Sequence, residues 1–497
     1  MARDDIDVIR ARLERETGTL VDHSPEAICL LYPSPYHAGM SSLGFQTLYR
    51  AINARPNRAA HRAFLPDDLE SASNVLSYEM LRPIGDYRVL GLSVAYELEL
   101  AGVVRVLQAA GIPPLARDRG PQHPFVLAGG PLTFSNPLPL APFADAILMG
   151  EADDTIHDAL DLIFTERGDA LLRQLAERIP SAFVPSLHED MPPVARAADA
   201  NLPARSQITT PDTELRDMFL IEPERGCHRG CTYCVMRRST NGGMRLFDPD
   251  EVLGHVPEHA RRVGLVGAAT TDHPRITEIV ESLVDSGREV GLSSLRADRL
   301  NDRFVAALRK GGQTVLTTAA DGASARLRKQ IQRRAPDEKL REAAHLAKRH
   351  GFRRLKLYMM VGLPDENDDD IDELIDFSLE LSRIAPPISL GIAPFCAKRN
   401  TPMDGMPFAG IQTVDARLKR LRKGVKGRVE LRATSARWAW VEYVLAQGGR
   451  AEGEAVVDVV ARGGKFRHWK DAFEALPEDR PQRPLVRPGD RVLRVMR

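Results

Sequence analysis

Apolar runs and amphipathic segments alternate twice along this chain, and that alternation restricts the fold more than any other feature. AICLLYP (27–33), YRVLGLSV (87–94), PFVLAGG (124–130) and ADAILMG (144–150) are dominated by apolar residues. Apolar runs without a polar face predict strands covered on both sides, as in a parallel sheet between helical layers. Helix-like segments separate them: FQTLYRAIN, ELAGVVRVLQAAG and DDTIHDALDLIF. Glycines stand where the strands end, at Gly39, Gly44, Gly129, Gly130 and Gly150. In doubly wound sheets ligands bind at those carboxyl ends. The same glycines also suit plain turns.

The rhythm recurs from about residue 215 to 400. MFLIEP, VGLVGA (263–268), EVGLSSL (289–295), QTVLTTAA (313–320), LKLYMMVGLP (355–364) and ISLGIAPF (388–395) read as six strands. Segments such as RITEIVESLVDSG and EKLREAAHLAKRHG read as the helices between them. A partial (β/α)6 barrel closes such a set, with its active site on the loops after the strands. Four segments are therefore expected: a doubly wound Rossmann-like domain at 1–185, a Pro- and Ala-rich linker at 186–214, the barrel at 215–400, and a small mixed extension at 401–497. The extension holds a basic run from Arg417 to Arg432, expected to be a solvated helix face, and the aromatic segment SARWAWVEYVLAQGG.

At the start of the barrel segment, ERGCHRGCTYC places Cys227, Cys231 and Cys234 in C-x3-C-x2-C spacing. Three thiolates on one short loop leave a four-ligand metal centre one ligand short, and an open position is where chemistry happens. Arg225, His228 and Arg229 flank the loop and would favour thiolate over thiol. A zinc knuckle with His228 as fourth ligand satisfies the spacing as well. Only two other cysteines occur, Cys29 and Cys396, so no disulfide framework is expected. Cys396, after the sixth strand, is expected either to pack or to reach the site at the barrel rim.

The chain has 497 residues with Lys+Arg and Asp+Glu both at 68, so no global field steers it to nucleic acid or an anionic membrane. The N-terminal MARDDIDVIRARLERETG is charged and reads as no secretory signal. No uninterrupted apolar stretch approaches the roughly 20 residues of a membrane span. A cytoplasmic protein without a membrane partner is the expectation.

On these motifs the chain resembles radical S-adenosylmethionine (radical SAM) enzymes, in particular the subgroup of methylthiotransferases and cobalamin-dependent members. The three cysteines match the cluster signature, with Tyr233 before the last of them. VGLVGAATTDHP (263–274), GLSSLRADRL (291–300), ADGASARLRKQI (320–331) and KLYMMVGLPDENDDD (356–370) resemble the subgroup's strand-end segments. The resemblance implies a [4Fe–4S] cluster on Cys227, Cys231 and Cys234. Its fourth iron would chelate the amino and carboxylate groups of SAM. It also implies SAM contacts at Tyr233, Thr270, Thr271, Ser294, Arg296, Asp321, Arg326 and Gly362. Two departures stand out: the usual Gly-Gly-Glu after the second strand is missing, and the usual glutamate before Gly-Ala-Ser is Asp321.

The first domain resembles the cobalamin-binding module that precedes many radical SAM barrels, through GLSV (91–94), VLAGGP (126–131) and ADAILMGEADDT (144–155). That resemblance implies cobalamin contacts at Ser93, Gly129, Gly130 and Gly150, with His37 in the loop SPYHAGMSSLG (34–44). The usual Asp-x-His-x-x-Gly motif is absent there. The expected function is reductive cleavage of SAM to a 5′-deoxyadenosyl radical that attacks a small-molecule, peptide or RNA substrate. A flavodoxin or ferredoxin would serve as electron donor. With cobalamin bound, methyl transfer to an unactivated carbon is implied. Cobalamin-free radical modification and a non-catalytic metal-stabilised scaffold are the alternatives.

Overall fold

A computed structural model describes residues 2–68, 74–236 and 243–477. The chain forms two compact units, one drawn from Met1–Phe219 with Val444–Arg497 and the other from Leu220–Tyr443.

The first unit is built on a six-stranded sheet. Its strands are β1 (Glu26–Tyr32), β2 (Arg58–Phe64), β3 (Val89–Ser93), β4 (Phe125–Gly129), β5 (Ala146–Leu148) and β6 (Ala182–Phe183), in the order β2-β1-β3-β4-β5-β6. All pair in parallel except β6, which runs against β5. The order reverses at β1, the switch point of a doubly wound sheet. Leu30, Tyr32 and Leu148 share a core with Phe45, Tyr49 and Ile156 from the helices Leu43–Asn53 and Thr155–Thr165. The helix Leu100–Ala109 buries Val103, Val104 and Leu107. Its Gly102 lies so close to Pro33 that a Cβ would stand 1.9 Å from the Pro33 carbonyl oxygen.

Three features of this unit differ from the sequence reading. β2 was not foreseen, because RAAHRAF carries three basic side chains, yet all seven residues are buried. Arg62 is enclosed between Glu16 (2.7 Å) and Glu79 (2.5 Å), and His61 between the Tyr87 hydroxyl and the Asp22 carbonyl. The 186–214 segment is bound into the unit rather than running free. Ala195 bridges to Gly150, Thr209 to Thr17, and the Gln46 side chain accepts from the backbone of Gln207 and Ile208. The 401–497 extension is divided between the units. Its helix Arg450–Ala461 packs on Leu100–Ala109, and Asn136 donates to the carbonyls of Leu445, Ala446 and Gly448.

The second unit carries β7 (Met218–Ile221), β8 (Glu224–Gly226), β9 (Met244–Leu246), β10 (Arg262–Leu265), β11 (Glu289–Leu292), β12 (Val315–Asp321), β13 (Arg354–Val361), β14 (Ile388–Pro394) and β15 (Val429–Ala433). One sheet runs β11-β10-β7 and another β12-β13-β14-β15. A parallel bridge between Leu295 and Thr318 links β11's exit to β12. The strands follow chain order, as in a partial (β/α) barrel. β15 is a seventh strand beyond the six expected, paired in parallel with β14. β8 and β9 form a separate antiparallel hairpin whose connection contains the three cysteines.

The acidic start of the helix Asp368–Ile384 is a capping box, with Asn367 and Asp370 bonding each other's backbone. Arg420, from the basic run, pairs with Asp368 and Asp372. The run thus forms a helix, Ile411–Gly424, followed by β15.

Candidate active site

The cysteine loop leaves β8 at Gly226, whose φ of +98° is left-handed backbone that glycine adopts freely. The Thr232 N–H is held by the Ile331 carbonyl at 3.1 Å, and the Cys234 N–H by the Cys231 carbonyl at 3.3 Å. All three cysteines are unpaired with one another, and Cys231 is buried. Burial pushes the Cys227 thiol up and the Cys234 thiol up to about 11, and the neighbouring cysteines add to both shifts. Thiols raised in this way ionise readily only with a cation beside them, and a bound metal deprotonates its thiols outright. The donor set therefore fits an iron–sulfur cluster. Among the described residues no three ligand side chains converge closely enough to hold one ion.

The flanking cations do not lower these thiols as expected, because carboxylates hold them. Arg225 donates its Nε to both oxygens of Glu222 at 3.0 Å. Arg229 binds Asp272 at 2.5 and 2.9 Å. Asp272 has a fully buried side chain and also faces Arg299 at 2.9 Å and Arg296 at 3.7 Å. Burial alone would lift its carboxyl, but these guanidiniums hold it below the usual range.

The expected SAM residues fall into two groups. Tyr233 donates its hydroxyl to Asp321 at 2.6 Å, and Arg333 pairs with the same carboxylate at 2.8 Å and reaches the Cys231 sulfur. Asp321 adopts φ +66° at a bulge ending β12, which turns its side chain to this cluster of groups. Burial and Asp321 push the Tyr233 hydroxyl far above its usual range. Thr270 and Thr271 are buried in the turn after β10, and the Thr271 hydroxyl accepts the Arg296 N–H at 3.2 Å. Ser294 is exposed at the exit of β11. Arg326 and Gly362 are engaged by other groups: Arg326 by Asp370 and the Asp365 carbonyl, and Gly362 by the Glu366 carboxylate. Cys396 donates to the Ala439 carbonyl at 3.1 Å, in keeping with a packing role.

Glu224 escaped the sequence reading. Its Oε1 accepts the Ala269 N–H at 2.8 Å, and it lies so close to Gly267 that a Cβ there would stand 2.1 Å from that oxygen. Its Oε2 is buried without a hydrogen-bond partner among the described residues. Burial, with Glu222 and Asp272 adding, pushes its carboxyl up to about 7. An orphaned acceptor three residues before the first cysteine fits the ammonium of SAM. Arg296, buried and with its Nε making no hydrogen bond although 3.7 Å from Asp272, fits the carboxylate.

The expected cobalamin residues lie in the first unit. Gly130, at φ +101°, faces the Val94 backbone, and a Cβ on Gly150 would stand 2.5 Å from the Ala195 carbonyl oxygen. Both glycines thus accommodate the chain itself. Ser93 and Gly129 are partly exposed at their strand ends. His37 is exposed on the single turn Tyr36–Gly39 and lines a cavity with Arg12, Arg15 and Asp212. Ser93, Gly129 and His37 thus stand at the carboxyl ends of the parallel strands or in the turn after β1, where a doubly wound sheet binds its ligands.

Two family models match the chain: radical SAM proteins, N-terminal, over residues 44–185, and the radical SAM superfamily over residues 221–378. The uncharacterized protein MJ0966 of Methanocaldococcus jannaschii is 25% identical over 391 residues, 77% of this chain and 80% of that one. Among solved structures, the apo form of the cobalamin-dependent S-adenosylmethionine radical enzyme OxsB is similar in fold, with TM-score 0.52, 12% identity and 81% of this chain covered. The chain spans 56% of the length of OxsB. No helix among the described residues is long and apolar enough to cross a membrane. With its cysteine loop at the head of a partial barrel and both family models matched, the chain belongs to the radical SAM superfamily.

Proposed function

We propose that Cys227, Cys231 and Cys234 each hold one iron of a [4Fe–4S] cluster and leave the fourth iron for the amino acid end of SAM. When bound, the cluster supplies the electron that breaks a carbon–sulfur bond of SAM, releasing methionine and a 5′-deoxyadenosyl radical that abstracts hydrogen from the substrate. The observation that carries this reading is the orphaned carboxylate oxygen of Glu224, buried three residues before a loop of three cysteines in which burial raises the Cys227 and Cys234 thiols. Glu224 and the turn at Gly267–Ala269 receive the ammonium, and Arg296 faces the carboxylate. Asp321 fixes the Tyr233 ring, and Arg333 places a positive charge beside Cys231. Placement and exclusion of water are the protein's share of such chemistry. Five cysteines without a disulfide suit the reducing cytoplasm.

Anaerobic reconstitution of Cys231→Ala with iron and sulfide tests the ligand assignment. Loss of both cluster absorbance and SAM cleavage is expected, and retained cleavage would refute it. The reading routes no step through a corrin. Titration with hydroxocobalamin separates the two reaction classes: an unchanged corrin spectrum with no retention after gel filtration would leave cobalamin-free radical chemistry. A retained corrin would instead support methyl transfer to an unactivated carbon.

A further inference from the structure

The sheet β12-β13-β14-β15 has one packed face and one open face. Along β13, Leu355, Leu357, Met359 and Val361 are buried, while Arg354, Lys356, Tyr358 and Met360 between them are not. Strand side chains alternate between faces, and the helices Asp337–Arg349 and Ile411–Gly424 pack against β13. Parallel register carries the open face across the sheet. Lys356 pairs with Ser389 and Tyr358 with Gly391 on β14, and these pair with Glu430 and Arg432 on β15. Tyr358 is 39% exposed. Its ring lies over Gly391, where a Cβ would stand 2.9 Å from the Tyr358 Cδ1. The Lys356 ammonium donates to the Tyr358 hydroxyl at 2.8 Å and has no carboxylate partner among the described residues. Arg354 and Arg432 share Glu430. Among these residues three cations face one carboxylate, an excess of two positive charges on a chain whose formal net charge is zero.

Resting on the radical SAM reading, we infer that this open face seats the substrate, a small organic anion whose carboxylate or phosphate meets Lys356 and whose ring lies on Tyr358. An ammonium has three N–H donors, and the Tyr358 hydroxyl takes one of those on Lys356. Two N–H donors and the tyrosine O–H are left to converge on one anion. Lys356 already stands 4.5 Å from the centre of the Tyr358 ring, so a cationic ligand on that ring meets a like charge. Asp321 pairs in register with Met359, three residues beyond Lys356, roughly 10 Å along the strand at 3.3 Å per residue. An acid anchored at Lys356 thus runs past Tyr358 toward the level at which Asp321 holds Tyr233 of the cysteine loop. The anion is fixed away from the loop, and the carbon skeleton is presented to it. One tyrosine ring suits a single ring acid, whereas a nucleic acid strand needs successive stacking platforms.

The test uses the reconstituted full-length protein with SAM, and benzoate, phenyl phosphate, benzyl alcohol and hexauridylate as probes, with affinities from ligand-observed NMR titration. At least one of the two ring acids is expected to bind, and benzyl alcohol to bind roughly tenfold more weakly than that acid. Benzoate against phenyl phosphate distinguishes a carboxylate from a phosphate substrate. Lys356→Met should weaken the bound acid about tenfold, Lys356→Arg should keep most of its affinity, and Tyr358→Ala should weaken it roughly two- to tenfold. The control Lys348→Met, on the exposed face of Asp337–Arg349, is expected to bind the acid as the parent does. Failure of both acids to bind the parent, unchanged affinity in Lys356→Met, equal loss in the control, or hexauridylate binding through Lys356 without either acid each overturns the inference. A parallel loss of SAM affinity in Lys356→Met would put Lys356 at the carboxylate of SAM and overturns it too. Absence of 5′-deoxyadenosine release from the parent overturns the radical SAM reading, and with it the assignment of the bound acid as substrate, even where the acid binds at Lys356.

Discussion

At the residue scale, the cysteines were legible because spacing alone puts three thiols on one loop. Glu224 was not, because its role depends on Gly267 and Ala269, some forty positions away and brought beside it only by folding. Its burial makes two opposed predictions. Burial pushes its carboxyl up to about 7, well above an ordinary glutamate, so the folded state binds the proton more tightly than the unfolded chain. Its stability contribution is full below about pH 4.5 and is lost as pH rises through 7. Glu224→Gln should therefore raise stability by about 3 kcal/mol at pH 8 and by little at pH 4.5, read by urea unfolding at both values. The same variant should bind SAM about tenfold more weakly, since hydrogen bonds to charged groups are worth roughly 1.5–3 kcal/mol. Equal affinity in calorimetry would remove Glu224 from the SAM site. Asp272→Asn should cost about 3–5 kcal/mol, because Arg229, Arg296 and Arg299 lose their shared buried anion; a loss under 1 kcal/mol in urea unfolding would contradict that role.

At the scale of elements, long apolar runs announced themselves and short or polar strands did not. β1, β3 and β4 are near-continuous apolar segments, so their class followed from pattern. β2 hid because Arg58, His61 and Arg62 look like a solvent face, whereas here each is buried with a partner. β15, five residues long after a basic helix, was masked by the charge around it. Strand-end glycines were ambiguous in sequence, and the structure assigns two of them to close contact with the chain's own backbone. Gly130→Ala places a Cβ 2.6 Å from the Val94 carbonyl oxygen in left-handed backbone. It should destabilise the first unit by roughly 1–3 kcal/mol, measured by denaturant unfolding, and a neutral result would reopen Gly130 as a free cofactor contact.

At the scale of the molecule, the two-unit α/β plan was readable from the repeated strand–helix rhythm. The division of the C-terminal segment was not, since burial of Val456, Val459 and Trp469 depends on surfaces far away in sequence. Truncation after Tyr443 should lower the melting temperature of the first unit and expose the apolar face of Leu100–Ala109 to a hydrophobic dye. An unchanged melt would mean that those helices are dispensable. The central claim concerns the cysteine loop and what completes it. The most direct measurement is the release of 5′-deoxyadenosine after anaerobic reconstitution with iron and sulfide, then addition of dithionite and SAM. Release that requires all three of Cys227, Cys231 and Cys234 is the predicted result; an intact cluster absorbance with no 5′-deoxyadenosine would contradict it.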